Sequence, residues 1–457
     1  MINWLKKILG NEEAPAAAPK RKGAAGIYSQ LAAVKAGRYS DNNKTRPKTE
    51  KWQEAEDLYK EKRFIPALTA FFEYLRDEEE NNVHFEPNGE GFSFSLVQGS
   101  GKVVGECDGQ TVVARLPLAV MDYPGTAIMR RLLDLNYNLY YSHTALDADN
   151  TLYMIFNSSV SSASPDKMYQ GLREITVKGD KIDDLLLTDF NSLKRAEGGS
   201  ITSLTEQELS TKYRYFREWI EAVLTEVDKL NPDSFAGAIA YMLLGTVYRI
   251  DFLITPQGKL LSELEAIHRI YWDKKDEVTL VERNKQIKNA LRKLLDLMAA
   301  DFAKSLYYSK NTFAISGVPK SDKVREYINN ANKDAQWYSE NKYPDAALRL
   351  NEYGVLYSQF VYSVPRVQTL LVKIYMAVMH SAFFAEMGFE RKLYDAGGNG
   401  FDREAIEEAV NESIAKYEDK FPYLKWHHDR VKYNSLYDFG VSFSEQIANL
   451  NLETKRH

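Results

Sequence analysis

The spacing of apolar positions changes twice along the chain, and each change marks a different kind of structure. Trp52, Ala55, Leu58 and Tyr59 recur at helical spacing, and so do Ala67, Leu68, Phe71, Phe72 and Leu75 after Pro66. Proline suits a first helical turn, where its missing N–H has no partner to lose. The two stretches predict a helical hairpin, with Glu78-Glu79-Glu80 as a solvated end. The period then drops to two. Phe92, Phe94 and Leu96 alternate with serines, Val103, Gly105 and Cys107 continue, and Val112, Ala114 and Leu116 follow. Such alternation is the mark of half-buried strands. Gly99-Ser100-Gly101 and Asp108-Gly109 supply turns, the second a strong hairpin signal because its central positions want positive φ. A three-stranded antiparallel meander is expected. Ile128, Leu132, Leu133 and Leu135 predict a helix, and 137–144 and 151–157 two more strands around Asp147-Ala148-Asp149-Asn150. Ser164-Pro165 opens a further helix as cap and first residue, which Val177 and Gly179 weaken in the middle, and 197–200 marks a boundary.

Beyond that boundary the period is helical throughout. Thr205-x-x-Glu208 is a capping box, ahead of a stripe of Tyr213, Phe216, Ile220, Val223 and Leu224. Asn231-Pro232 predicts a helix start. Helices are expected over 260–272, 280–302, 323–338, 346–362 and 367–387, and Asp402 caps one over 403–417 after the break at 397–400. A membrane span needs about 20 mostly apolar residues. The uncharged run 235–248 is closed by Arg249 and Asp251, and 374–385 lies between Lys373 and Glu386. Both are expected as buried helices. Tyr59-x4-Phe64-x2-Ala67 recurs as Tyr338-x4-Tyr343-x2-Ala346, the spacing of a tetratricopeptide-like hairpin, although any helical hairpin needs a small residue at its crossing.

The first ten residues stand apart. Ile2, Trp4, Leu5, Ile8 and Leu9 form an apolar stripe beside Lys6 and Lys7, the pattern of a surface-seeking helix, too interrupted for an export signal. They are candidates for membrane or partner contact. Residues 11–26 are rich in Ala, Pro, Lys and Gly, and 27–47 are mixed and polar. The expected organisation is a short amphipathic helix over 1–10, a flexible linker over 11–47, an α+β domain over 48–197 and an all-α domain over 201–457. The fold class is α+β, with element order helix, three strands, helix, two strands, helix, then a large helical region.

Composition narrows the chemistry. The 457 residues carry 59 basic and 64 acidic side chains, a net charge of −5, so no global basic field attracts nucleic acid. The single cysteine, Cys107, cannot form an internal disulfide, which suits a reducing, cytoplasmic setting. There is no phosphate loop and no dinucleotide fingerprint. The glycines at 397–400 precede a helix and read as a connector, though their amides could cradle an anion. Asp147–Thr151 and Asp395–Ile406 both lack the ligand pattern of a calcium loop. His427-His428-Asp429 has no metal spacing, and His143, His268 and His380 read as packed histidines. Asp108 beside Cys107 should raise the thiol pKa. No catalytic residue, metal or cofactor is expected. The 29 tyrosines and 21 phenylalanines read mainly as core, the tyrosine surplus also as protein-binding surface.

The element order over about 64–196 resembles that of class I type III secretion chaperones and the related YbjN family. The likeness is carried by Ala67 to Leu75, Phe92 to Leu96, Val103 to Cys107, Val112 to Leu116, Ile128 to Leu135, the strands from Asn138-Leu139-Tyr140 to Phe156, and Ser164-Pro165 onward. It implies a non-enzymatic, often dimeric, protein-binding module that holds an extended partner segment. The large helical region departs from that group and favours an adaptor. The alternatives are an enzyme or ligand-binding protein with its site in the helical region, and a membrane-peripheral scaffold anchored by residues 2–9.

Overall fold

In the computed structural model, residues 26–196, 201–273, 278–320, 322–398 and 400–454 are described. After a short α1 (Ile27–Ala33), the expected hairpin forms from α2 (Arg46–Lys60) and α3 (Phe64–Leu75). Then come β1 (Val83–Asn88), β2 (Gly91–Gln98), β3 (Gly101–Cys107), β4 (Thr111–Met121), α4 (Thr126–Tyr137), β5 (Ser142–Leu146) and β6 (Thr151–Ser159). The sheet is antiparallel in the order β1-β2-β3-β4-β6-β5, and a short β7 (Leu193–Arg195) pairs with the end of β4. The sheet thus has two strands more than the five expected, β1 and β7. β1 escapes the pattern because it is an edge strand. Only Val83 on it is buried, and an edge tolerates Pro87, whose missing N–H faces no neighbour. The Asp108-Gly109 hairpin forms, but of the two positions only Gly109, not Asp108, takes the positive φ expected. Gly109 has φ +88°, and the Asp108 carboxylate accepts the amides of Gln110 and Thr111 at 2.9 and 2.7 Å. Gly105 is needed across the sheet, since a Cβ there would lie 2.1 Å from the Phe94 ring.

The helix opened by Ser164-Pro165 runs as α5 (Pro165–Arg173), a π-turn over Glu174–Lys178 and α6 (Gly179–Asp189). Where Val177 and Gly179 weaken the pattern, the helix widens by one residue per turn. The wide turn carries Glu174 to the start of β5, where its carboxylate accepts the amides of Tyr140, Tyr141 and Ser142 and the Lys178 ammonium.

The second unit begins with β8 (Ile201–Ser203), which pairs with β9 (Tyr307–Ser309). Its helices are α7 (Glu206–Val227), α8 (Ala236–Arg249), α9 (Gly258–Trp272), α10 (Leu280–Leu295), α11 (Ala299–Lys304), α12 (Lys323–Glu340), α13 (Pro344–Val361), α14 (Arg366–Met379), α15 (Ser381–Glu386), α16 (Arg403–Ala415) and α17 (Leu436–Ala448). A two-residue ribbon, β10 (Tyr394–Asp395) with β11 (Gly400–Phe401), precedes α16. The unit is therefore helical with two small ribbons, not purely α. The capping boxes and caps at Thr205 and Asp402 form as expected. The helix expected from Asn231-Pro232 starts only at Ala236, because the Asn231 side chain first closes a turn on the amides of Asp233 and Ser234. Helices 280–302 and 367–387 are each broken in two, at 296–298 and at His380.

α8, α13 and α14 are buried almost all round and form the centre. α8 continues through a π-turn, Ile250–Ile254. Over 236–254 it is, among the described residues, the one helix long and apolar enough to cross a membrane, and 89% of it is packed inside the protein. The charges that interrupt this apolar run are buried too. Arg249 pairs with Glu352 at 2.5 and 3.0 Å, and Glu352 also meets His380 at 3.1 Å.

The two hairpins are true structural echoes, one residue out of step with the sequence motif. Lys62 and Lys342 both take left-handed φ, +62° and +67°. Arg63 N–H donates to the Leu58 carbonyl and Tyr343 N–H to that of Tyr338, both at 2.9 Å. These are Schellman closures, so Leu58 matches Tyr338 and Ala67 matches Ala347. The tight crossing of the second hairpin is made by Gly354, where a Cβ would lie 2.3 Å from that of Ala331.

The expectation of a flexible linker over 11–47 fails from residue 26 onward, and residues 1–25 lie outside the described ones. Ile27, Leu31 and Val34 belong to the core of the helical unit. Tyr28 N–H donates to Glu412 on α16 at 2.8 Å, and its hydroxyl accepts from Lys416. Gly37, at φ +78°, bonds the Phe252 carbonyl at 2.7 Å. Polar composition hid this strap because only every third or fourth residue anchors it.

Two clusters of bonds stand out among the contacts between the units. Gln98 at the end of β2 is buried, and its amide makes four bonds of 2.9–3.1 Å to Asn311, Thr312 and Phe313. Phe313 is wholly buried in the core of the α+β unit, edge-on to Tyr169. Arg366 at the start of α14 reaches Asp77, Glu79 and Glu80. The acidic end of α3 is thus an ion-paired contact, not the solvated face expected.

Candidate functional site

Strap, α+β unit and helical unit together enclose a cavity of about 860 Å³. Nine lysines and arginines line it against four carboxylates, so it is cationic in a chain of net charge −5. Much of that charge is already matched. Arg38 on the strap pairs with the buried Asp251 and bonds the Pro256 carbonyl at 2.9 Å. Arg366 holds the acidic end of α3, and Lys181 faces Glu265 at 3.6 Å.

Two lysines are different. Lys212 occupies the apolar stripe of α7, four residues before Phe216, and is 1% exposed. Its ammonium bonds the Ile254 carbonyl at 2.9 Å and lies over the Tyr308 ring. Burial pushes its pKa down to about 8, with Glu208 opposing. Lys373 lies in the middle of α14 and is 5% exposed. Among the described residues its ammonium has no hydrogen-bond acceptor and no carboxylate within reach. Burial, and the charges of Lys35 and Lys212, push its pKa down to about 7. Lys35, on the strap, completes the group. An unpaired buried charge is costly, so Lys373, with two more amines on the same cavity, points to an anion.

A second feature lies in the same wall. Thr255 follows the π-turn with φ +54° and ψ +54°, a conformation that β-branched residues avoid. Its Oγ1 is buried without a partner. Strained backbone of this kind collects at ligand sites, and the following Pro256 disfavours the right-handed alternative. The cavity also has apolar walls, among them Val177, Leu204, Leu261 and Leu370, so its chemistry suits an anionic group on a partly apolar body.

The other sequence candidates lie elsewhere. Ile2, Trp4, Leu5, Ile8 and Leu9 fall outside the described residues. Cys107 is buried and its thiol is pushed up, by burial first and by Asp108 only in small part. His268 bonds the Tyr248 hydroxyl at 2.8 Å, and burial pushes it down to about 4. His380 is lowered by burial against the pull of Glu352. His143 is exposed on β5, and His428 bonds Asn411 at 2.8 Å. Among the described residues no cluster could hold a metal ion. At the start of α16, Asp402 accepts the Ala405 amide and also binds Arg391.

Sequence reasoning missed Lys212 and Lys373. One signal was present: each is a charge at a position where the helical period calls for an apolar residue. No protein-family model matches this chain, and no curated protein matches its sequence.

Proposed function

We propose that the protein binds an anionic small molecule in the cavity between its two units. The observation that carries this reading is Lys373, a buried ammonium that opens onto the cavity and has no partner. Lys35 and Lys212 add charge of the same sign, and the unpartnered Thr255 hydroxyl offers a neutral contact. The ligand's anionic group would supply the missing counter-charge, and its apolar part would cover Leu261 and Leu370. Strap and both units line the site, so a bound ligand would also tie them together. The test is thermal unfolding in inorganic phosphate, pyrophosphate and citrate against sodium chloride of equal ionic strength. At least one anion should raise the melting temperature well beyond the chloride control, and Lys373→Met should abolish that rise. Equal melting temperatures in all salts would overturn the reading.

A second reading has its own observation. Tyr123, Leu133, Tyr137, Tyr140 and Tyr141 are exposed on and beside α4 and β5, the edge strand whose Ser142 and Thr144 amides are taken by Glu174 and Asn136. Exposed aromatic residues grouped in this way suit contact with a protein partner. This supports the protein-binding adaptor expected from the element order. Pull-down with the full chain, beside a Tyr137→Ser/Tyr140→Ser variant, tests it: a partner retained equally by both would count against this surface. The N-terminal decapeptide remains the proposed membrane contact, and unchanged vesicle sedimentation after its deletion would remove it.

A further inference from the structure

An ammonium carries three N–H donors and a charge, and every one of them needs an acceptor when water is removed. Lys373 has none among the described residues, although it is 5% exposed. A neutral amine asks for less, and it carries a lone pair directed at the space it faces. The charged groups that act on Lys373 are Lys35 from the strap and Lys212 from α7, both cationic. Further along the same cavity wall, Arg38 and Arg366 are held by carboxylates, and Glu79, Glu80 and Glu265 face arginine or lysine. The cavity therefore sets one amine that has no protein acceptor next to two others of the same sign. A lysine desolvated beside other cations is the arrangement that turns an amine into a nucleophile toward carbonyl carbon.

We infer that Lys373 forms an imine with an anionic aldehyde or ketone, whose acidic group is held by Lys35 and Lys212. This rests on the anion-binding reading and specifies its ligand class. The Nζ lone pair attacks the carbonyl carbon, and the C=O pair moves to oxygen, which takes a proton. The carbinolamine then expels that oxygen as water, and the nitrogen loses its remaining proton to leave C=N. No oxidant or reductant is consumed. With its pKa pushed down to about 7, Lys373 is about half neutral at neutral pH. An exposed lysine, with its pKa near 10.4, is neutral only about once in 2,500.

Glyoxylate is the smallest probe of the class. The full chain is incubated with glyoxylate and cyanoborohydride at pH 7, where hydride reduces the imine to N-carboxymethyl-lysine, and modified peptides are identified by mass spectrometry. Acetaldehyde serves as the neutral comparison, Lys35→Gln weakens the anion clamp, and Lys373→Arg keeps a cation while removing the nucleophile. We expect Lys373 to be labelled well ahead of the exposed lysines, the neutral fractions differing about 1,000-fold, and faster by glyoxylate than by acetaldehyde. Lys35→Gln should shrink that preference. Labelling spread evenly over surface lysines, with Lys373 untouched, overturns the inference. If phosphate still stabilises the chain in that case, the anion-binding reading survives alone. If neither labelling nor anion stabilisation is seen, both fall. Equal labelling by the two aldehydes overturns the anionic class of the ligand.

Discussion

Replacing Lys373 by methionine should make the protein more stable at neutral pH, and the gain should vanish in base. Methionine matches the length and volume of the lysine stem and has no charge to bury. The size of the effect follows from the amine itself. In the unfolded chain Lys373 titrates near 10.5, and in the fold it is pushed down to about 7 by burial and by its cationic neighbours. Each tenfold change in proton affinity is worth about 1.4 kcal/mol, so below pH 7 the fold carries a cost of about 5 kcal/mol, and at pH 7 about 4 kcal/mol. The sign is that of a lowered pKa on a cation. The folded chain binds fewer protons than the unfolded chain between pH 7 and 10.5, so stability rises with pH across that window. Lys212, pushed down to about 8, adds a smaller rise that the variant keeps. For a chain of this length 1 kcal/mol moves the melting temperature by about 1 °C. Differential scanning calorimetry at pH 7 should therefore place Lys373→Met about 4 °C above the parent, and at pH 10.5 within about 1 °C of it. A variant less stable than the parent at pH 7, or a difference independent of pH, would refute the picture of an unpaired buried ammonium.

Four further outcomes follow from the packing. Gln98→Ala strips four buried hydrogen bonds from the clip to 311–313 and should cost about 3 kcal/mol by urea denaturation. Gly37→Ala places a Cβ 2.8 Å from the Thr369 methyl at positive φ; it should cost about 2 kcal/mol and open the strap to limited proteolysis. Glu352→Gln leaves Arg249 buried without its counter-charge and should cost about 3–5 kcal/mol, whereas Arg249→Met with Glu352→Leu should recover most of that loss, both read by denaturation. Lys62→Gly and Lys342→Gly relieve left-handed strain at the two hairpin closures and should each stabilise by about 0.5–1 kcal/mol; a loss at both would contradict the Schellman geometry.

Local chemistry was the part of this structure most open to sequence reasoning. Thr205 with Glu208, Ser164 with Pro165, and Asp108 with Gly109 each act within a few residues, so the pattern contains both partners. The strands of the α+β unit were legible where one face is buried and one is wet. β1 was not, because an edge strand hides too few side chains to alternate clearly. The hairpin echo was visible, but its register was set by the αL lysines and not by the aromatics that drew attention to it. The candidate site was the least legible. Arg249, Asp251 and Lys373 look in sequence like charges that end apolar runs, yet each is buried inside its helix. Burial depends on what packs around a helix from distant parts of the chain. Here those parts are a strap near residue 37 and loops near 255 and 310, which no local period relates.

The strap and the clip also set an order of events during synthesis. The α+β unit has all its strands once residue 195 is made, but its core lacks Phe313. At about 5–20 residues per second, that plug arrives many seconds later. In the interval Gln98 and the space beside Tyr169 face water. The strap waits longer still, because Tyr28 rests on Glu412 and Lys416. The strap is thus made before both units and is one of the last segments to find its place. A chain cut short before α16 would carry a finished sheet and a strap without its partners on α16, open to quality-control proteases.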